Sequence, residues 1–251
     1  MDQEPESAGA ADTTLAASGV TVRFGALVAV DGVDLVVRQG DILGLIGPNG
    51  AGKTTLVNAI TGFERLSAGE VKLGGRTITR MPAHKRARLR IVRTFQSGHS
   101  FARLTALENV EAAALGAGHS RRSARRRAGE LLGFMKLSHR ANVAAKALPH
   151  GDERRLEVAR ALAMNPLYLL MDEPAAGLDE RESDELMDAI RGARDDIHCG
   201  IVLIDHDMRV IMQTCERIQV LNYGKTISAG TPGQVRNDPA VIAAYLGASQ
   251  D

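Results

Sequence analysis

The 251-residue chain carries 31 Lys and Arg against 30 Asp and Glu, a formal charge of +1, with 44% hydrophobic residues. That length buries one large core, or one core with a lobe attached, and near-neutrality argues against a generic nucleic-acid binder, which would show a basic excess. The two cysteines, Cys199 and Cys215, form no disulfide framework and suit a reducing cytosol as small buried residues; no apolar run approaches the roughly 18 residues that cross a bilayer, and the N-terminus lacks a secretory pattern.

Residues 1–16 mix acidic charges with Ala, Ser, Thr and Gly and read as a disordered tail. Short β-type runs follow, VTVRF at 20–24 and DLVV at 34–37, separated by Gly and Asp turns. DILGLI at 41–46 is an apolar strand, and KTTLVNAITGF at 53–63 begins as a helix. EVKL at 70–73 and IVRTF at 91–95 look like further strands. From about 97 to 164 apolar residues recur at helical spacing in LTALENVEAAAL, AGELLGFM and RRLEVARALAM. LYLLM, GIVLI and RIQVLNY are then strands alternating with the helices ERESDELMDAIRGAR and DMRVIMQTC. Such alternation implies a largely parallel sheet covered by helices, with the helical block inserted as a lobe.

Two segments carry chemistry. Gly47-Pro-Asn49-Gly50-Ala51-Gly52-Lys53-Thr54 fits G-x-x-x-x-G-K-[ST], between a strand and a helix, and Thr55 follows. Glycines let backbone N–H groups curl round phosphate oxygens, and the helix N-terminus adds its positive end. Lys53 supplies charge to the β- and γ-phosphates, and the Thr54 hydroxyl coordinates Mg²⁺. In LYLLMDEP at 167–174, Asp172 leaves the carboxyl end of a buried strand, where ligands of open α/β sheets bind. Asp172 can hold Mg²⁺ through water, and Glu173 can orient or deprotonate the attacking water.

From about residue 17 to 248 the chain resembles the ATP-binding subunits of ABC transporters. The resemblance rests on the order of phosphate loop, Gln96, the segment LPHGD at 148–152, Asp172-Glu173 and His206. It implies a P-loop NTPase (RecA-like) α/β core, an N-terminal antiparallel β region and an inserted α-helical lobe at about 97–155. It further implies that Gln96 reaches Mg²⁺ and water, that His206 contacts the γ-phosphate, and that Phe24 stacks on adenine. Asp179, in AGLD at 176–179, would lie on the loop that crosses a dimer interface. Gly151 would present its amide to ATP held by the opposite subunit. FGALVAVDGVDL, LVNAITGF, VRTFQ, RRLEVARALA, MDEPAAGLD, IDHDM and NDPAVIAAYLG most resemble the ATP-binding subunits of branched-chain amino-acid importers. That likeness implies ATP and Mg²⁺ as ligands, integral membrane permeases and a second ATPase subunit as partners, and a solute-binding protein as an indirect one. The expected location is peripheral, on the cytoplasmic face of the cell membrane, with no nucleic-acid partner. The competing reading is a non-transport ABC ATPase of repair, translation or cluster assembly.

The family's signature is L-S-G-G-Q, and here it reads Leu148-Pro149-His150-Gly151-Asp152. Pro149 lacks both hydroxyl and N–H, so two donors toward a γ-phosphate are lost. Asp152 would repel an anion unless it points away or caps a helix beginning at Glu153. The site completed by this segment is therefore expected to close less firmly than one completed by L-S-G-G-Q. The run Arg121, Arg122, Arg125, Arg126 and Arg127 is a solvated helix face by default, or a contact for an anionic membrane.

Overall fold

The computed structural model describes residues 14–94 and 100–247. Gln96 lies outside the described residues. The strands run β1 Thr14–Phe24, β2 Leu27–Arg38, β3 Ile42–Ile46, β4 Ala68–Leu73, β5 Arg76–Thr77, β6 Ile91–Arg93, β7 Tyr168–Asp172, β8 Gly200–Ile204, β9 Arg217–Asn222 and β10 Lys225–Gly230. The helices are α1 Lys53–Thr61, α2 Ala83–Arg88, α3 Ala106–Gly116, α4 Arg121–Phe134, α5 His150–Ala163, α6 Glu180–Ile197, α7 Met208–Thr214, α8 Pro232–Arg236 and α9 Pro239–Gly247.

One sheet has the order β10-β9-β3-β8-β7-β6, parallel except for the antiparallel edge strand β10. A second, antiparallel sheet has the order β2-β1-β4-β5. The central strands are apolar on both faces because both are covered. Successive residues alternate between two cores. Ile42, Ile46, Leu169, Met171, Ile201 and Leu203 pack with α3–α7. Leu43, Leu45, Leu170, Val202 and Ile204 pack with α1 and the antiparallel sheet. Each such side chain, fully buried, contributes about 1.5–3 kcal/mol, so the ends of β3, β7 and β8 are rigidly held. This is the mixed α/β architecture expected from the sequence.

Several boundaries differ from the sequence reading. β1 begins at Thr14, inside the segment assigned to the tail, because Leu15 and Ala17 are buried in the second core. Of the Gly and Asp residues read as turns between VTVRF and DLVV, Gly25 does turn the chain from β1 to β2, whereas Asp31 and Gly32 lie within β2, where the β1–β2 pairing is irregular. Gly19 takes a φ of 58°, and its N–H donates to the Asp34 carboxylate at 2.7 Å, which absorbs the slip without ending either strand. α2 was not foreseen. It exists because Arg86 is drawn wholly inside, donating to the carbonyls of Met81 (2.9 Å), Ala59 (2.8 Å), Ile60 (2.5 Å) and Thr79 (2.6 Å). Burial pulls its guanidinium down to about 10. α5 starts at His150, so Asp152 sits inside its first turn and is not the cap of a helix beginning at Glu153.

In α4, Arg125 pairs with Glu111 (2.8 Å), Arg126 with Glu130 (3.6 Å) and Arg127 with Asp196 (4.0 Å), the pattern of a solvated face. Cys199 and Cys215 are buried, and burial pushes their thiols up to about 11 and about 12. Among the described residues, no helix is long and apolar enough to cross a membrane.

Candidate nucleotide site

Gly47 to Gly52 link β3 to α1, and their geometry explains the glycines. Gly47 has φ 147°, and a Cβ there would stand 2.0 Å from the Leu221 carbonyl oxygen. Gly52 has φ 100°, and its Cβ would lie 2.4 Å from the Ala29 oxygen. Either substitution would force the loop away from β9 or β2. Between them Asn49 and Gly50 are exposed, Ala51 is buried, and Thr55 is half-buried behind Thr54.

Lys53 is folded back into this loop. Its ammonium donates to the carbonyl oxygens of Gly47 (2.6 Å) and Pro48 (3.0 Å), and the residue is 7% exposed. Burial lowers its pKa, opposed by the charges of Glu173 and Asp172.

Asp172 ends β7 with its side chain buried. Its Oδ2 accepts from the Thr54 hydroxyl at 3.2 Å and lies 4.0 Å from the Arg93 guanidinium. Its backbone N–H donates to Thr94 Oγ1 at 3.4 Å. Its Oδ1 is buried with no hydrogen-bond partner among the described residues. Burial raises the carboxyl's pKa first of all, against the Thr54 hydrogen bond; Glu173 raises it further, while Arg93 and Lys53 lower it. An orphaned carboxylate oxygen beside a threonine hydroxyl suits a hard cation, which takes oxygen ligands and keeps several waters. The residues present thus fit Mg²⁺.

Glu173 adopts φ 53°, uncommon for a residue with a side chain. Its N–H donates to the Ile204 carbonyl at 2.8 Å, and its Oε1 is 2.6 Å from His206 Nε2. Strain of this kind, of order 1–3 kcal/mol, persists only where the surroundings over-determine it. His206 lies between two structural carboxylates. Asp205 is buried, its carboxyl raised by burial, and it accepts from the Asp207 N–H at 3.0 Å; Asp207 caps α7. The phosphate loop, Thr54, Asp172, Glu173 and His206 are therefore joined by direct contacts.

The remaining candidates lie on other elements. Phe24 ends β1 and is 47% exposed. Asp179 caps α6 in a reciprocal pair with Glu182. Gly151 has Glu182 so close that a Cβ would stand 2.9 Å from its Oε1, and a Cβ on Gly177 would stand 2.8 Å from the His150 ring. The altered signature thus packs against the AGLD segment of its own chain. Asp152 turns aside to Arg140, 3.3 Å away.

Sequence reasoning missed Arg93 and Thr94. Arg93 also donates to the Asn58 side chain and lies 5.4 Å from the centre of the Phe63 ring. The available signal was an arginine closing the apolar strand of IVRTF, a charge that needs an acidic partner if buried.

A phosphate loop between β3 and α1, with an Asp-Glu pair at the end of β7, the parallel strand one place removed from β3 across β8, defines a P-loop nucleotide-binding protein. The ABC transporter family model matches residues 30–176, and the chain belongs to that family. A second model, that of the branched-chain amino acid ATP-binding cassette transporter, matches residues 225–251. The chain is 42% identical over 252 residues to the high-affinity branched-chain amino acid transport ATP-binding protein BraF of Pseudomonas aeruginosa, covering 93% of this chain and 97% of that one. Among solved structures, an ATP-binding cassette of an ABC transporter in its ADP conformation is similar, with TM-score 0.85, 29% identity, and 94% and 99% of the two chains covered. A dimeric bacterial ABC transporter cassette gives TM-score 0.77 and 28% identity over 87% and 98%.

Proposed function

We propose that this chain is the ATP-hydrolysing subunit of an importer for branched-chain amino acids or a related small solute. The observation that carries the chemistry is the line of contacts from Thr54 to Asp172 and from Glu173 to His206, at the mouth of the phosphate loop. The match over residues 225–251 and the likeness to BraF support the transport assignment.

In this reading the amides of Asn49, Gly50, Ala51, Gly52 and Thr55 cradle the phosphates, with Lys53 at the β- and γ-phosphates and Phe24 stacked on adenine. Thr54, Asp172 and Gln96 would hold Mg²⁺, which when bound supplies charge neutralisation to the phosphates. Glu173 accepts the proton of the attacking water. His206 holds the Glu173 carboxylate through a hydrogen bond and turns to the γ-phosphate when ATP is bound. Gly151 and Asp179 serve the ATP of a second, similar or identical ATPase subunit, as the dimeric relative suggests. Permeases would anchor the pair at the cytoplasmic face of the membrane and pass on the signal of a solute-binding protein.

Two experiments test this. Glu173→Gln should retain ATP binding and lose about 10²–10⁴ in turnover; parental phosphate release would refute the base assignment. Purification of the chain from its native membrane with its partners should yield integral membrane proteins, and a preparation that carries none would overturn the transport assignment.

A further inference from the structure

Thr54 and Asn58 stand at i and i+4 on α1 and so share one face of that helix. Two ties run from this face to the end of β7. The Thr54 hydroxyl donates to Asp172 Oδ2 at 3.2 Å. The Asn58 side-chain oxygen accepts from Arg93 Nη1, and Nη2 of the same guanidinium stands 4.0 Å from the same Oδ2. Thr54, Asp172, Arg93 and Asn58 therefore close a ring through the backbone of α1, and both ties end on one carboxylate oxygen. The other, Oδ1, is buried with no hydrogen-bond partner among the described residues.

The guanidinium is fixed by groups other than the carboxylate. β6 sets Arg93 opposite Leu170, two residues before Asp172 on β7, and the Thr94 N–H donates to the Leu170 carbonyl at 3.0 Å. Besides the bond to Asn58, Arg93 Nε donates to the Thr94 carbonyl at 3.2 Å. The central carbon of the guanidinium lies 5.4 Å from the centre of the Phe63 ring, a cation–π contact. The Arg93 and Asp172 side chains are 8% and 2% exposed, so solvent screens little of their attraction. At 4.0 Å the pair is beyond hydrogen-bond length and acts through charge, which leaves the Thr54 bond in place.

We propose that Arg93 is a positioning residue for the metal ion: together with Thr54 it engages Oδ2 of Asp172 and so reserves Oδ1 for a divalent cation and its water. This rests on the reading of Thr54 and Asp172 as Mg²⁺ residues of the ATP site. A hydroxyl has one hydrogen and two lone pairs, so Thr54 can donate to Oδ2 and still offer its oxygen to the cation. Groups that orient metal-binding side chains without touching the metal cost about 10–100-fold in metal affinity when removed. Arg93 offers no atom to the cation, and its effect passes through Asp172.

The test uses the full-length chain with Mn²⁺ as the probe. Titration with a fluorescent ATP analogue in EDTA gives the metal-free nucleotide Kd, electron paramagnetic resonance of Mn²⁺ in the ATP-loaded protein gives the metal Kd, and thermal melting reports folding. Arg93→Met should weaken Mn²⁺ binding about ten-fold, with the nucleotide Kd in EDTA that of the parent. Arg93→Lys keeps the charge without the planar fork and should recover part of the loss. Asn58→Leu leaves Arg93 in place without its anchor. It should weaken Mn²⁺ binding by a smaller factor, and it carries the test if Arg93→Met does not melt cooperatively. Parental Mn²⁺ affinity in Arg93→Met or in Asn58→Leu would overturn the proposal, and so would tighter binding, which would make Arg93 a competitor of the cation. A loss of nucleotide affinity in EDTA as large as the loss of Mn²⁺ affinity would mark general damage to the site and overturn it too. In each of these cases Asp172→Asn still loses Mn²⁺; Asp172→Asn binding Mn²⁺ like the parent would instead overturn the metal-site reading and the proposal together.

Discussion

Asp172→Asn should make the nucleotide-free protein more stable. The residue is 3% exposed, and one carboxylate oxygen has no hydrogen-bond partner among the described residues. An unpartnered buried polar atom costs about 1–3 kcal/mol, and more when it carries charge, so the amide relieves the charged part of that cost. The isosteric amide removes the buried charge and its repulsion with Glu173. It also loses the attraction of Arg93, whose guanidinium stands off at 4.0 Å. Because burial is the largest influence on this carboxyl and the net shift is upward, the neutral form is the one the fold favours. A gain of about 1–2 kcal/mol follows, which at roughly 2–4 °C per kcal/mol for a chain of this size is a rise of roughly 2–8 °C in Tm.

The pH dependence has a definite sign. With the folded pKa above the unfolded one, the penalty is absent below the unfolded carboxylate pKa, grows as pH rises from there through the folded value, and is complete above it. The Tm difference between variant and parent should therefore be largest near pH 7 and shrink on acidification toward the ordinary carboxylate range. Differential scanning fluorimetry of both proteins across that range, without nucleotide, is the assay. Adding ATP with Mg²⁺ should raise the parent's Tm and leave the variant's nearly unchanged. A variant that melts at or below the parent at neutral pH would refute the reasoning.

Arg86→Met leaves four backbone carbonyls without their donor and should cost at least about 3 kcal/mol in urea unfolding; Arg86→Lys, which lacks the planar fork, should not restore it. Gly177→Ala meets the His150 ring at 2.8 Å from a left-handed backbone with φ 78°, for a loss of about 2–4 kcal/mol. His150→Ala should recover the steric part and leave the backbone part, so strict additivity in a double-mutant cycle would sink the contact. Pro149→Ser combined with Asp152→Gln should raise ATP turnover and ATP affinity of the assembled transporter, and unchanged values of both would refute a weakened signature.

What was legible in the sequence follows from how local each requirement is. Gly47 to Thr54 could be read directly because the loop's demand is on its own backbone. Asp172 and Glu173 could be read because an apolar run can end only at the sheet's carboxyl edge. Arg93 and Thr94 could not, since their meeting with Asp172 depends on the register that sets Arg93 opposite Leu170 in the neighbouring strand. Arg86 hides in HKRAR, a run that reads as solvated until α1 is placed beside it. The long β1 and β2 were broken too early because Gly and Asp signal turns in one strand considered alone, whereas paired strands tolerate them as bulges.

The position of Lys53 gives nucleotide entry the character of an exchange. The ammonium already has two carbonyl partners at 2.6 and 3.0 Å, so an incoming phosphate must displace them before it gains a full charge. In the proposed reading, loading would then have a step set by the protein and shared by every nucleotide whose β- or γ-phosphate reaches Lys53, whatever its base. Departure would run the same step backwards, with the Gly47 and Pro48 carbonyls competing for the lysine as the phosphate leaves.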